Sequence, residues 1–159
     1  MLGPYFFMAI LVRQYEGKDF ARLHKLDQVC FPPGISYSRW SLHYYLSLPG
    51  AVCLVAEEGK RLAGFILAEE NPPLGHIITL DVAESFRRRG VGTMLLNEME
   101  EHFVFQGVHS VLLETSVENA SGIAFWKRHG YRTEAMVKKY YLGKIDAYEM
   151  RKKLKESDE

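Results

Sequence analysis

Arg87-Arg88-Arg89-Gly90-Val91-Gly92 is the stretch whose setting decides the fold. An apolar run, Ile77-Ile78-Thr79-Leu80-Asp81-Val82, comes before it and has the composition of a strand. After it, from Gly90 to about Gln106, Val91, Met94, Leu95, Met99 and Phe103 fall on one face of a helix. The six residues therefore join a strand to a helix. Gly90 and Gly92 allow the backbone to approach a ligand closely. The first N–H groups of the helix have no helical partner and point outward with the positive end of the dipole. Three arginines add fixed positive charge, so a diphosphate fits this turn. Taken alone, the same residues also describe a solvated, basic helix start.

Working outward, Ile10 to Gln14 has the pattern of a strand, with Met8 as its possible opening, and Asp19 to Cys30 places Phe20, Leu23, Leu26 and Cys30 on one helical stripe. Pro32-Pro33-Gly34 breaks that helix, and Ser38 is placed to cap a second one carrying Trp40, Tyr44, Tyr45 and Leu48. These aromatics suit a substrate wall, and equally suit packing on a sheet. Ala51 to Glu57 and Arg61 to Glu69 flank Glu58-Gly59-Lys60 as an antiparallel hairpin, with Pro72-Pro73 ending its second strand. His76 to Val82 and Val108 to Thr115 are further strands. Asn119 to His129 is a short helix stopped by Gly130. Tyr131 to Lys139 and Ala147 to about Leu154 are the last strands, on either side of a loop with Tyr140, Tyr141 and Gly143. The order predicts one α/β (α+β) layer structure with a mixed, mainly antiparallel sheet.

The 159 residues suit a single domain, with residues 1–7 a possible extension and 155–159 a charged tail expected to fray. Acidic and basic residues number 20 each, which excludes a broad basic surface for nucleic acid. Leu2 to Val12 is too short to span a bilayer and lacks a basic leader, so a soluble, cytoplasmic protein without membrane attachment is expected. Cys30 and Cys53 form neither a metal spacing nor a disulfide framework, and no metal is expected. Nothing chooses between a monomer and a homodimer.

Around the arginine turn a resemblance becomes specific. His76 to Tyr131 resembles the acetyl-coenzyme A-binding half of GNAT N-acetyltransferases. Arg87, Gly90 and Gly92 match the motif Q/R-x-x-G-x-G/A; Asn119, Phe125, Gly130 and Tyr131 match the asparagine-helix and G-F/Y that follow it. Val137-Lys138-Lys139-Tyr140-Tyr141 and Asp146-Ala147-Tyr148-Glu149-Met150 resemble the tyrosine-pair loop and D-A-x-x-M strand of protein N-terminal acetyltransferases, including ribosomal-protein alanine N-acetyltransferases. Gly75-His76-Ile77 resembles their entry to the central strand.

The resemblance implies the GNAT-like acyl-CoA N-acyltransferase fold, with about seven strands and about four flanking helices. It also implies acetyl-CoA as cofactor, held by three groups of residues. The strand Leu80, Asp81 and Val82 lies along the pantetheine arm, with main-chain groups of Leu80 and Val82 pairing to it. The turn Arg87, Arg88, Arg89, Gly90, Val91, Gly92 and Thr93 takes the pyrophosphate on its amides from Arg88 onward. Asn119, Phe125 and Trp126 complete the site, although Asn119 is also an ordinary N-cap.

The implied reaction moves an acetyl group directly to a primary amine, foremost the α-amine of a protein N-terminus. Lysine or small-molecule amines, or a non-catalytic acyl-CoA-binding role, are alternatives. An ammonium nucleophile must first lose a proton. Glu114, inside the apolar strand Leu112-Leu113-Glu114-Thr115, matches the glutamate base of the ribosomal-protein group; His76 is the second candidate, and the two together suit one bridging water. A main-chain N–H at Val82 or Leu80 is implied for the oxyanion. Trp126 stands where the family commonly has a tyrosine acid, and indole N–H is no usable acid near neutral pH. A coenzyme thiol, with a reference pKa of about 8.5, leaves tolerably without one. Tyr141 or Tyr140 either replaces that acid or clamps the substrate. Gly122, where alanine is usual, is expected to weaken its helix slightly.

Overall fold

The computed structural model describes residues 9–154. Residues 1–7, expected as an extension, the 155–159 tail and Met8 lie outside the described residues. The elements run β1 (Ile10–Gln14), α1 (Phe20–Cys30), α2 (Arg39–Leu46), β2 (Ala51–Glu58), β3 (Arg61–Asn71), β4 (Leu74–Val82), α3 (Val91–Phe105), β5 (Ser110–Ser116), α4 (Ala120–Arg128), β6 (Arg132–Tyr141) and β7 (Ile145–Lys153). The strands form one seven-stranded sheet in the order β1-β2-β3-β4-β5-β7-β6. Every neighbouring pair is antiparallel except β4 and β5.

Local chemistry explains most boundaries. Ser38 caps α2 by accepting from Ser41 N–H, and Asn119 caps α4 by accepting from Gly122 N–H. Gly59, with φ of 60°, turns β2 into β3. On one face α3 packs Leu95, Leu96, Met99 and Phe103 against Ile66, Ala68, Ile77 and Val111. On the other, Leu23 of α1 and Leu42 of α2 cover Cys53, Val55, Phe65 and Leu67. Each buried Leu, Ile, Val, Phe or Met among them contributes about 1.5–3 kcal/mol relative to exposure. Asp19, at the start of α1, is held by both terminal guanidinium nitrogens of Arg13 (2.8 Å each) and by Arg22 (2.9 Å), which ties α1 to β1.

The parallel pairing of β4 with β5 is short. It runs from Leu74 with Ser110 to Ile77 with Leu113 and then stops, while β4 continues to Val82 and β5 to Ser116. The cause lies in β4, where Leu67 opposes Thr79 and Ala68 opposes Ile77, so Ile78 is an extra residue. A bulge of this kind bends its strand, and here it opens the sheet between β4 and β5.

Two expectations need correction. The tyrosine pair is not in a free loop: β6 runs through Tyr141, which pairs with Ile145 across a short turn. A register shift between Val137 and Tyr141, with Lys139 at φ 54° and its N–H on Asp146 Oδ1 (2.8 Å), re-aims both rings. Gly122 is also more than a weak helix residue. A Cβ there would lie 2.5 Å from Asn119 Nδ2, so glycine is what lets the cap fold over the first turn.

Candidate active site

One side of the candidate site is built by the opened sheet and the α3 terminus. Along β4, Asp81 O and Ala83 N–H turn toward β3, as the close approach of Asp81 O to Gly64 and the Ala83 N–H bond to Ala63 O (2.8 Å) show. Alternation then turns the main-chain groups of Ile78, Leu80 and Val82 toward the opening. Ile78 O indeed accepts from the Tyr37 hydroxyl (3.3 Å), and Val82 O from Arg87 Nε (3.3 Å). Asp81, expected with Leu80 and Val82, therefore does not line the opening; its side chain is 1 % exposed on the α1 side.

Gly90 precedes α3 at φ 77°, a left-handed conformation that suits glycine. The first helical bond is from Met94 N–H to Gly90 O (2.9 Å), so the amides of Val91, Gly92 and Thr93 have no helical acceptor. A Cβ on Gly92 would come within 3.2 Å of the Phe125 ring, so Phe125 acts by packing α4 onto the turn. Among the expected arginines, Arg89 is committed elsewhere, to Glu58 of β2 and the face of Phe86 (5.0 Å). Arg87 and Arg88 remain exposed beside the turn.

The other side of the candidate site, with His76 and Glu114, stands at the end of the β4–β5 pairing. His76 Nε2 and Glu114 Oε2 are 2.6 Å apart, with Glu114 the more buried. Tyr37, Tyr45, Ile78, Tyr140 and Tyr141 line the cleft above this pair, with about 20 Å³ available to the centre of a water-sized molecule, room for one water. Tyr140 and Tyr141 meet edge to face with centroids 4.9 Å apart, and the Tyr141 hydroxyl reaches Glu114 O at 3.5 Å, the outer limit of a hydrogen bond. Burial and the Glu114 charge push the Tyr140 phenol up to about 12. Burial, with Tyr140 and Glu114, raises the Tyr141 phenol too, so both are neutral donors at neutral pH.

The other expected residues are scattered. Trp126 is buried in the α3-side core, edge-on to Phe125 (5.1 Å) and Tyr131 (5.3 Å), and is not brought to the cleft. Asn119 spends its Oδ1 on the α4 cap (3.0 Å). The Thr93 hydroxyl bonds His129 Nε2 (2.9 Å), whose Nδ1 meets Phe125 O (2.8 Å), so His129 fixes the first turn of α3 to the end of α4. His129, Tyr37 and Ile78 were not singled out from sequence. For Tyr37 the signal was the Pro32-Pro33-Gly34 break, which returns the chain to the sheet just before α2. Trp40 and Tyr44, expected as wall candidates, stack on each other at the surface, 75 % and 49 % exposed. Among the described residues no group of three His, Cys, Asp or Glu could hold a metal ion, and no helix is long and apolar enough to cross a membrane.

Residues 20–131 match the model of the acetyltransferase (GNAT) family. The chain belongs to that family. Among GNAT relatives, an uncharacterised N-acetyltransferase of Methanocaldococcus jannaschii is 31 % identical over 149 residues, covering 91 % of this chain and 92 % of the relative. An N-alpha-acetyltransferase of Sulfurisphaera tokodaii is 27 % identical over 152 residues, covering 87 % of this chain and 90 % of its own length. The crystal structure of Ard1 from Thermoplasma volcanium superposes with a TM-score of 0.85 at 25 % identity, covering 94 % of this chain and all of that one. The sheet opening and the α3 turn both lie within the matched residues.

Proposed function

We propose that this GNAT enzyme transfers the acetyl group of acetyl-CoA to the α-amino group of a protein N-terminus. The observation that carries the proposal is the His76–Glu114 pair, 2.6 Å apart on the floor of a tyrosine-lined cleft where β4 leaves β5. The residues present fit the coenzyme. Leu80 and Val82 offer main-chain groups along the opening, and the α3 amides meet the requirement of a diphosphate. When bound, acetyl-CoA supplies a thioester carbonyl as the electrophile and a thiol as leaving group.

The chain's own residues do the rest. Glu114 and His76 take the proton of the incoming ammonium, directly or through the one water the cleft admits, and so expose the amine lone pair. Tyr140 and Tyr141, on the cleft wall, clamp the peptide N-terminus and donate hydrogen bonds from neutral phenols. Trp126 takes no part in proton transfer, since it lies in the core. The N-alpha-acetyltransferase relative supports the choice of amine. Incubation with acetyl-CoA and peptides with free or blocked α-amines, following thiol release, tests it. Release is expected with free N-termini; release only with blocked, lysine-containing peptides would shift the substrate to side chains. Coenzyme binding without release from any amine would leave a non-catalytic module.

A further inference from the structure

On the α1 side of the sheet, two carboxyl groups are buried together. Asp27, on α1, is 0 % exposed; Asp81, on β4, is 1 % exposed. Each has one oxygen with a donor. Asp27 Oδ2 accepts from Tyr37 N–H (2.6 Å), and Asp81 Oδ1 accepts from the Thr79 hydroxyl (2.5 Å). The remaining oxygens, Asp27 Oδ1 and Asp81 Oδ2, meet no N–H or O–H of the described residues. The two side chains lie within hydrogen-bonding reach of each other, and among the described residues the hydrogen-bond donors to them are Tyr37 N–H and the Thr79 hydroxyl, with no lysine or arginine.

Two adjacent buried carboxylates cannot both stay ionised without a cation. A single proton between them removes one charge and satisfies both orphan oxygens at once. Burial, and secondarily the charge of Asp27, holds the Asp81 carboxyl well above the ordinary carboxylate range. Asp81 thus keeps the proton, and Asp27 accepts it while its other oxygen holds Tyr37 N–H.

We propose that the Asp81 O–H···Asp27 hydrogen bond is a positioning device that locks the loop carrying Tyr37 onto β4, the strand that lines the coenzyme opening. Tyr37 stands in the amine cleft, with its hydroxyl on Ile78 O (3.3 Å) and its ring edge-on to Tyr45 (5.4 Å). Coenzyme strand and substrate wall are thereby registered through a contact neither ligand touches. Asp27 and Asp81 are positioning residues for the site proposed above, on which this inference rests.

Three readouts test it. Wild-type protein at neutral pH is expected to show the infrared carbonyl band of a buried protonated carboxylic acid, lost in Asp81→Asn. The Asn amide donates to Asp27 in its place, so Asp81→Asn keeps the Tyr37 amide protected from exchange and keeps the peptide KM. Asp81→Leu has no donor, and both amide protection and peptide KM are expected to worsen about tenfold with a smaller change in kcat. Absence of the band, or Asp81→Leu with wild-type protection of Tyr37, would overturn the proposal. If Asp81→Leu does not fold, the band and the Asp81→Asn exchange decide. The infrared and exchange results stand even if no peptide is acetylated, which separates this proposal from the functional one.

Discussion

Replacing Glu114 by glutamine changes one atom of the active cleft and removes its charge. The amide keeps the strand position beside His76, where the carboxylate now lies 2.6 Å from Nε2. It keeps the volume as well, so the fold and the cleft are expected to survive. What disappears is the acceptor for a proton. General-base catalysis by a positioned side chain is worth about 10²–10⁴ in rate. At 1.36 kcal/mol for each factor of ten, that is a rise of about 2.7–5.4 kcal/mol in the barrier. Coenzyme affinity is expected to stay constant, because the α3 amides and the open edge of β4 do not involve Glu114. The loss also depends on pH. A free α-amine has a reference pKa of about 7.7–8.0. Above that range the amine arrives already deprotonated, and the variant recovers part of its deficit. The assay is thiol release against a free-N-terminus peptide across neutral to alkaline pH, with coenzyme binding measured separately. Turnover of Glu114→Gln equal to wild type at neutral pH would refute the assignment of Glu114 as base.

Trp126→Tyr restores the residue common in the family at that position, yet kcat is not expected to rise, because the site lies in the core; stopped-flow turnover of the variant checks this. Gly92→Val pushes branched carbons into the Phe125 ring, already 3.2 Å from an ideal Cβ, and is expected to weaken coenzyme A binding about tenfold, or 1.4 kcal/mol, by titration calorimetry. Gly17→Ala, where a Cβ meets nothing and the backbone is not left-handed, is the control with unchanged binding. The guanidinium of Arg13, foremost, holds the Asp19 carboxyl below its ordinary value. A depressed folded-state value stabilises above the unfolded pKa of about 3.9 and is lost as pH falls below it. Asp19→Ala is therefore expected to cost about 3 kcal/mol at neutral pH, since Arg13 and Arg22 keep Glu57, and to melt with a shallower acid dependence than wild type.

Periodicity and punctuation made most of the fold legible. Gly90, Gly59, Ser38 and Asn119 announced their turns and caps because each role depends on one residue's own backbone or side chain. The β4 bulge was not legible, since an extra residue at Ile78 is defined only against the partner strand. For the same reason the residues alone do not report the separation of β4 from β5. Within the site, His76 and Glu114 were visible as polar residues inside apolar strands. Asp81 was misplaced. It lies between Leu80 and Val82, which the resemblance assigns to the pantetheine arm, whereas strand alternation turns its main chain toward β3 and burial hides its side chain. Motif position groups Trp126 with the coenzyme, but its ring packs edge-on against Phe125 and Tyr131 in the core. Tyr37 and His129 act through contacts with residues 41 and 36 positions away, distances over which no local pattern reports.

The central claim is that the acetyl group goes to an α-amine through the cleft over His76 and Glu114. A single peptide carrying both a free N-terminus and an internal lysine puts that claim to a direct choice, with fragment-ion mass spectrometry locating the acetyl group. The proposed function predicts acetylation of the N-terminal nitrogen, strongly reduced in Glu114→Gln. Acetylation of the lysine nitrogen with the N-terminus left free would contradict it.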